Sequence, residues 1–162
     1  MIVISDTSIL INLAWIGRFS LLEQLYGSLL IPTAVWEEAV EKGAGQPGSA
    51  EIKSAAWIQV VKVQNTPLLI ALQQDLDPGE AEAIALALEH NADMLLIDER
   101  LGRATALHFG LSYMGLIGVL TNARQQGLLT ALKPDLDKLR RVAGFYISEH
   151  LYQRILADQG EI

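Results

Sequence analysis

Four acidic residues stand against apolar segments, where a chain ordinarily keeps charge out: Asp6 after MIVIS, Glu38 in PTAVWEEAV, Glu80 in DPGEAEAIALALE and Asp98 after DMLLI. A carboxylate at the end of a buried strand costs free energy unless it is paired, hydrogen-bonded or bound to a metal. Several that converge would form an oxygen-donor site for a hard divalent cation. Such an ion polarises a substrate oxygen and lowers the pKa of its bound water, so the chemistry within reach is hydrolysis. The chain has no cysteine, and His90, His108 and His150 form no spaced pair. Disulfides, thiolate ligands and a zinc site are therefore not expected.

For these acids to meet, the elements between them must return the chain to one place. MIVIS predicts a short strand closed by DTS, whose Asp or Ser is suited to cap the helix that ILINLAWI begins. A helix around RFSLLEQLY stops near Gly27, SLLIP predicts a second strand, and Pro32 suits the first turn of a helix over TAVWEEAVEK. GAGQPGS is a loop, Ser49 reopens a short helix, and WIQVVKV alternates like a strand fit for a sheet edge. NTPLLIALQQDLDPG holds a short helix ending at the DPG turn, followed by the helix GEAEAIALALEH and the strand ADMLLID. Beyond these come a helix over ERLGRATALHFG, a brief strand at LSY and a helix over GLIGVLTNARQQG, and from about residue 133 two further helices form a tail. Strands separated by helices predict a central parallel sheet covered on both sides, a three-layer α/β/α fold in one domain over residues 1–162.

An open parallel sheet has its crevice at the carboxyl ends of the strands, where the strand order switches. Asp6 and Asp98 each lie just past an apolar run and should face it. Glu80 shares a helical face with Ile84, Ala87 and Leu88, and Glu38 shares one with Val35. Glu37, Glu82 and Glu89 fall on other faces, so helical phase separates four acids from their neighbours.

Half of the 162 residues are hydrophobic, yet no apolar run approaches the roughly 18 residues that span a bilayer. No Lys or Arg precedes Arg18, so a basic targeting segment is not expected, and the reading is a cytoplasmic protein without a membrane partner. The net charge of −7 opposes nucleic-acid binding at first sight. Its distribution is uneven: residues 1–99 carry 14 acidic and 4 basic side chains, residues 100–162 carry 5 acidic and 8 basic. The second half is either an ordinary solvated surface or a phosphate-tracking face beside the acidic pocket.

In this order and spacing, IVISDTS, PTAVWEE, GEAEAIALA and LLIDERLGR resemble the four acidic motifs of PIN-domain nucleases, in particular the small prokaryotic proteins in which a GLIGVL-type helix follows. The similarity runs from Met1 to about Ala131. It implies a Mg²⁺- or Mn²⁺-dependent ribonuclease that hydrolyses RNA, often the toxin of a toxin-antitoxin pair with a small antitoxin protein as partner, and often a homodimer. On that resemblance Asp6, Glu38, Glu80 and Asp98 are the catalytic acids, with Asp6, Glu80 and Asp98 as metal ligands and Glu38 as ligand or general base. Where many members carry Asp, this chain has Glu80, whose extra methylene a flexible oxygen-ligand shell accommodates.

Thr7 and Ser8 offer hydroxyls to orient a ligand or contact phosphate, or else to cap a helix; Asn12, one turn on, can reach the same pocket. Arg100 and Arg103 can hold phosphate or else neutralise the acidic pocket, a role Arg103 suits better. An aspartyl-phosphate phosphotransferase would need an Asp where Ser8 stands, and a receiver domain would need an early acidic pair. The remaining rival is a PIN-like module that binds RNA or protein without cutting.

Overall fold

The computed structural model describes residues 1–162. Five parallel strands form one sheet in the order β3-β2-β1-β4-β5: β1 (Val3–Ser5), β2 (Leu29–Pro32), β3 (Ile58–Val61), β4 (Met94–Leu96) and β5 (Tyr113–Met114). All five predicted strands are present. The expectation that WIQVVKV lies at an edge holds, since β3 ends the sheet and is only partly covered. The alternation of side chains along each strand distributes them to two cores. Val3, Leu29, Ile31 and Leu96 enter one cluster, while Ile4, Leu95 and Ile97 enter the other.

The first core is closed by α1 (Thr7–Trp15), α2 (Leu21–Tyr26), α4 (Ser49–Ser54), α8 (Leu116–Gln125), α9 (Lys133–Arg141) and α10 (Glu149–Asp158), through residues such as Leu10, Leu22, Ile52, Leu120, Leu136 and Leu156. The second is closed by α5 (Thr66–Leu72), α6 (Pro78–Glu89) and α7 (Arg100–His108), with Ile84, Leu86 and Ala106 fully buried. Sheet and helices form the three-layer α/β/α arrangement that the sequence predicts.

The order 3-2-1-4-5 matters for the site. From β1 the chain runs outward through β2 to β3, then returns to place β4 on the other side of β1. The switch point falls between β1 and β4, whose registers pair Ser5 with Leu96. Asp6 and Asp98 therefore emerge at the same end of adjacent strands, at the crevice such sheets leave open.

One element departs from expectation. TAVWEEAVEK is not a single α-helix: α3 (Thr33–Trp36) passes directly into a π-helical turn, Glu37–Glu41, in which the Lys42 N–H reaches the Glu37 carbonyl at 2.8 Å. The wider turn keeps Ala39 and Val40 buried while Glu38 points toward α1 and α6. Turns of this kind recur at functional sites.

Candidate active site

The crevice is built from the ends of β1 and β4, the starts of α6, α7 and α8, and the π-helical turn. Asp6 follows β1 and is 4% exposed. It occupies the N-cap position of α1 but makes no side-chain capping bond, so its carboxylate is not consumed by the helix. Burial pushes its pKa up to about 7; the Thr7 backbone N–H opposes the shift, and the nearby charges of Asp77, Glu38 and Glu99 reinforce it.

Glu80 lies in the first turn of α6, 6% exposed. Sequence reasoning missed its partner, Asp77. The Asp77 carboxylate accepts from the Glu80 N–H at 2.8 Å, and Glu80 Oε1 faces the Asp77 N–H at 3.4 Å, forming a reciprocal capping box. The signal lay in DPGE, an N-cap acid, a proline at the first helical position and an acid three residues on. Burial pushes the Glu80 pKa up to about 8, with Asp77 and then Asp6 adding to it. Its second oxygen, Oε2, is buried without a hydrogen-bond partner.

Asp98 follows β4. Its Oδ1 accepts from Arg103 Nη2 at 2.9 Å and from the Leu116 N–H at the start of α8 at 3.1 Å. Burial raises its pKa, although both donors oppose the rise. Oδ2 is buried and unpartnered. Gly115 makes this arrangement possible, because a Cβ there would strike the Arg103 guanidinium and come within 2.5 Å of Asp98 Oδ1. The first glycine of GLIGVL thus leaves room for an ion pair, and Gly118 packs closely on Met114.

Glu38 is held from two sides. Thr7 Oγ1 donates to its Oε2 at 2.5 Å and the Gly79 N–H donates to its Oε1 at 3.0 Å, which ties α1, the π-helical turn and the start of α6 together. Electrostatics links the predicted acids pairwise: Glu38, Asp77 and Glu99 act on Asp6, Asp77 and Asp6 act on Glu80, and Glu99 acts on Asp98. No group of three or more His, Cys, Asp or Glu side chains is gathered closely enough to hold a metal ion as it stands.

The other predicted residues divide. Thr7 anchors Glu38, and the Ser8 hydroxyl is buried without a partner, so neither caps α1. Asn12 and Arg100 line a groove of about 690 Å³ that opens beside Asp98. Arg103 is engaged with Asp98 and with the Ile97 carbonyl at 3.2 Å, which is the neutralising role. Two of the three acids set aside by helical phase have backbone partners instead: Glu82 accepts from the Ala34 N–H, and Glu89 from the Gln64 and Asn65 N–H groups.

Fold and site together define an α/β protein with an acidic crevice at the switch point of a parallel sheet. A family model described as a PIN domain (DUF3368) matches residues 2–161, and the chain belongs to the PIN-domain family, a nuclease-type fold. Among solved structures, a PilT N-terminus domain protein from the hyperthermophilic archaeon Sulfolobus solfataricus P2 is similar in fold, with a TM-score of 0.57 and 18% identity over 76% of this chain and 93% of that one. No curated protein sequence matches the chain. No helix is long and apolar enough to cross a membrane.

Proposed function

We propose that the protein is a divalent-metal-dependent endoribonuclease that hydrolyses RNA phosphodiester bonds, with Asp6, Glu38, Glu80 and Asp98 as its catalytic acids. The observation that carries the reading is the pair of buried, unpartnered oxygens, Glu80 Oε2 and Asp98 Oδ2, together with a buried Asp6 close enough to Glu80 to raise its pKa. Polar atoms are seldom left so in a folded protein unless something else satisfies them. The donors are all hard oxygens, which fits Mg²⁺ or Mn²⁺.

Asp6, Glu80 and Asp98 would hold the cation, which when bound supplies an activated water and polarises the phosphoryl oxygen. Burial and mutual repulsion keep Asp6 about half protonated and Glu80 mostly protonated near neutral pH, and a cation beside them shifts that balance toward the carboxylates. Glu38, fixed by Thr7 and Gly79, is placed as a ligand or to take a proton from the attacking water. Arg103 orients Asp98 and offsets part of the negative charge at the site.

The test is cleavage of single-stranded RNA by the purified protein with Mn²⁺ or Mg²⁺, lost on chelation and lost in Asp6→Asn and Asp98→Asn proteins that remain folded by circular dichroism. Full activity in both variants, or activity indifferent to chelator, would overturn the assignment. The resemblance to small prokaryotic members further supports a toxin role and a homodimer. Growth arrest on expression, relieved by the same substitutions and by co-expression of a small neighbouring gene product, is the expected outcome. Normal growth with active nuclease would point to a solitary RNA-processing enzyme.

A further inference from the structure

We infer that the groove opening beside Asp98 holds the flank of a single-stranded RNA, with Tyr146 as the platform on which one base stacks and Arg100 as its phosphate contact. This rests on the nuclease reading above and deepens it by naming where the substrate lies beyond the scissile bond.

Tyr146 lines the groove together with Asp98, Arg100, Asn12 and Phe145, and its side chain is 85% exposed, the most exposed aromatic residue of the chain. An aromatic ring left this open has no packing role. Its backbone, however, is firmly held. Gly144, at a φ of +68°, turns the chain at the end of α9. The Phe145 N–H then donates to the Leu139 carbonyl at 2.9 Å, and the Phe145 ring packs on the larger core.

On the far side of Tyr146, Ile147 is buried, and Arg140 Nη2 donates to the Ile147 and Ser148 carbonyls at 2.9 and 3.2 Å. The Arg140 guanidinium is itself fixed over the Tyr152 ring at 4.0 Å and paired with Glu149. Tyr146 is thus presented outward between two inward-turned neighbours on a fastened loop. That is the pre-organised geometry a stacking platform requires.

Charge selects the occupant. Arg100 is exposed and has no carboxylate within ion-pair distance, whereas Arg103, one turn on, is spent on Asp98. Glu99 also lines the groove, and within it the free Arg100 guanidinium, sharing the lining with the exposed ring, suits a backbone phosphate flanked by flat bases. A base must leave its duplex to lie on Tyr146, so the groove selects single strands. The half-buried Asn12 amide, which has no side-chain partner, offers both a donor and an acceptor to a base edge.

The experiment measures binding of a short fluorescein-labelled single-stranded RNA, and of the same sequence as a duplex, by anisotropy. It is run in the Asp6→Asn background and again with chelated native protein. Tyr146→Ala should weaken single-strand binding roughly tenfold and leave duplex binding and the melting temperature unchanged; with native Asp6 and Mn²⁺ present, it should raise the KM for cleavage without lowering kcat. Tyr146→Trp should restore affinity, with its indole emission quenched on binding. Arg100→Ala should weaken binding and flatten its salt dependence.

Unchanged single-strand affinity in Tyr146→Ala overturns the inference, as does equal loss for single strand and duplex, or an absence of RNA binding in native protein, which would leave the groove to an apolar protein segment. If RNA binds through Tyr146 but is never cut in any metal, the nuclease reading fails and the platform stands. Cutting with an unaltered KM in Tyr146→Ala gives the reverse.

Discussion

The acids of the crevice and the acids of the C-terminal helices are treated in opposite ways. In the helical tail, charge is tied off: Asp135, fully buried, accepts from Arg18 at 3.0 Å, and Glu161 accepts from the Leu132 and Lys133 N–H groups to cap α9 while pairing with Arg124. In the crevice, Asp6 has no side-chain donor, and Glu80 and Asp98 each bury an unpartnered oxygen. Asp135 also keeps one open oxygen, but its other oxygen carries a cationic partner. The lesson is that the same residue type stabilises one region and burdens the other, and the burden gathers where a ligand would relieve it.

The largest test of that contrast is catalytic. Asp98→Asn should cost more cleavage than the roughly 10–100-fold typical of outer-shell partners, whereas Asp135→Asn should leave the specific activity of folded protein within about twofold. A large activity loss in both would erase the distinction between the two regions. Gly115→Ala should follow in size. It forces Arg103 away from Asp98, so cleavage should drop about tenfold and stability by roughly 1–3 kcal/mol, read by single-turnover kinetics and urea melts.

Stability should then move in opposite directions. With chelator at pH 8, Asp6→Asn removes a buried charge that has no side-chain donor and should raise the melting temperature by about 3–6 °C, while Asp135→Asn breaks a buried pair and should lower it by about as much. A fall for both would mean that Asp6 is already satisfied.

A subtler test is pH. Because the folded pKa values of Asp6 and Glu80, about 7 and about 8, exceed the ordinary carboxylate values of 3.8 and 4.5, the folded protein holds protons that the unfolded chain releases. Stability from these two groups is therefore full near pH 4 and lost as pH rises through about 7 to 8. The metal-free melting temperature should fall between pH 5 and about 8.5, and Mn²⁺ should recover it at the upper end. A flat profile, or no metal effect, contradicts this. Smallest of all, Glu82→Gln should cost under about 1 kcal/mol and little activity, since the amide oxygen can still accept from the Ala34 N–H.

Much of this was readable before any coordinates. The strand and helix order followed from apolar periodicity, and the four acids were separated from Glu37, Glu82 and Glu89 by helical phase, because both signals are local along the chain. The π-helical turn is not legible, since the composition of VWEEAVE is that of any α-helix; it coincides with the anchoring of Glu38 to Thr7 and Gly79, which only the folded chain brings together. Asp77 is legible as a capping acid in DPGE, although DPG equally suits a plain turn. Arg103 admits two roles from the sequence, and the tertiary structure pairs it with Asp98.

By itself, then, the sequence determined the alternation of strands and helices and which carboxylates sit at their ends, for these are consequences of hydrophobic spacing over a few residues. Only the tertiary structure decided that β1 and β4 are neighbours, that Gly115 clears room for Arg103, and that a tyrosine from the tail, some fifty residues from the nearest of the four acids, shares a groove with Asp98. The physical reason is that strand order and groove walls depend on contacts between residues far apart in the chain, which periodicity does not encode.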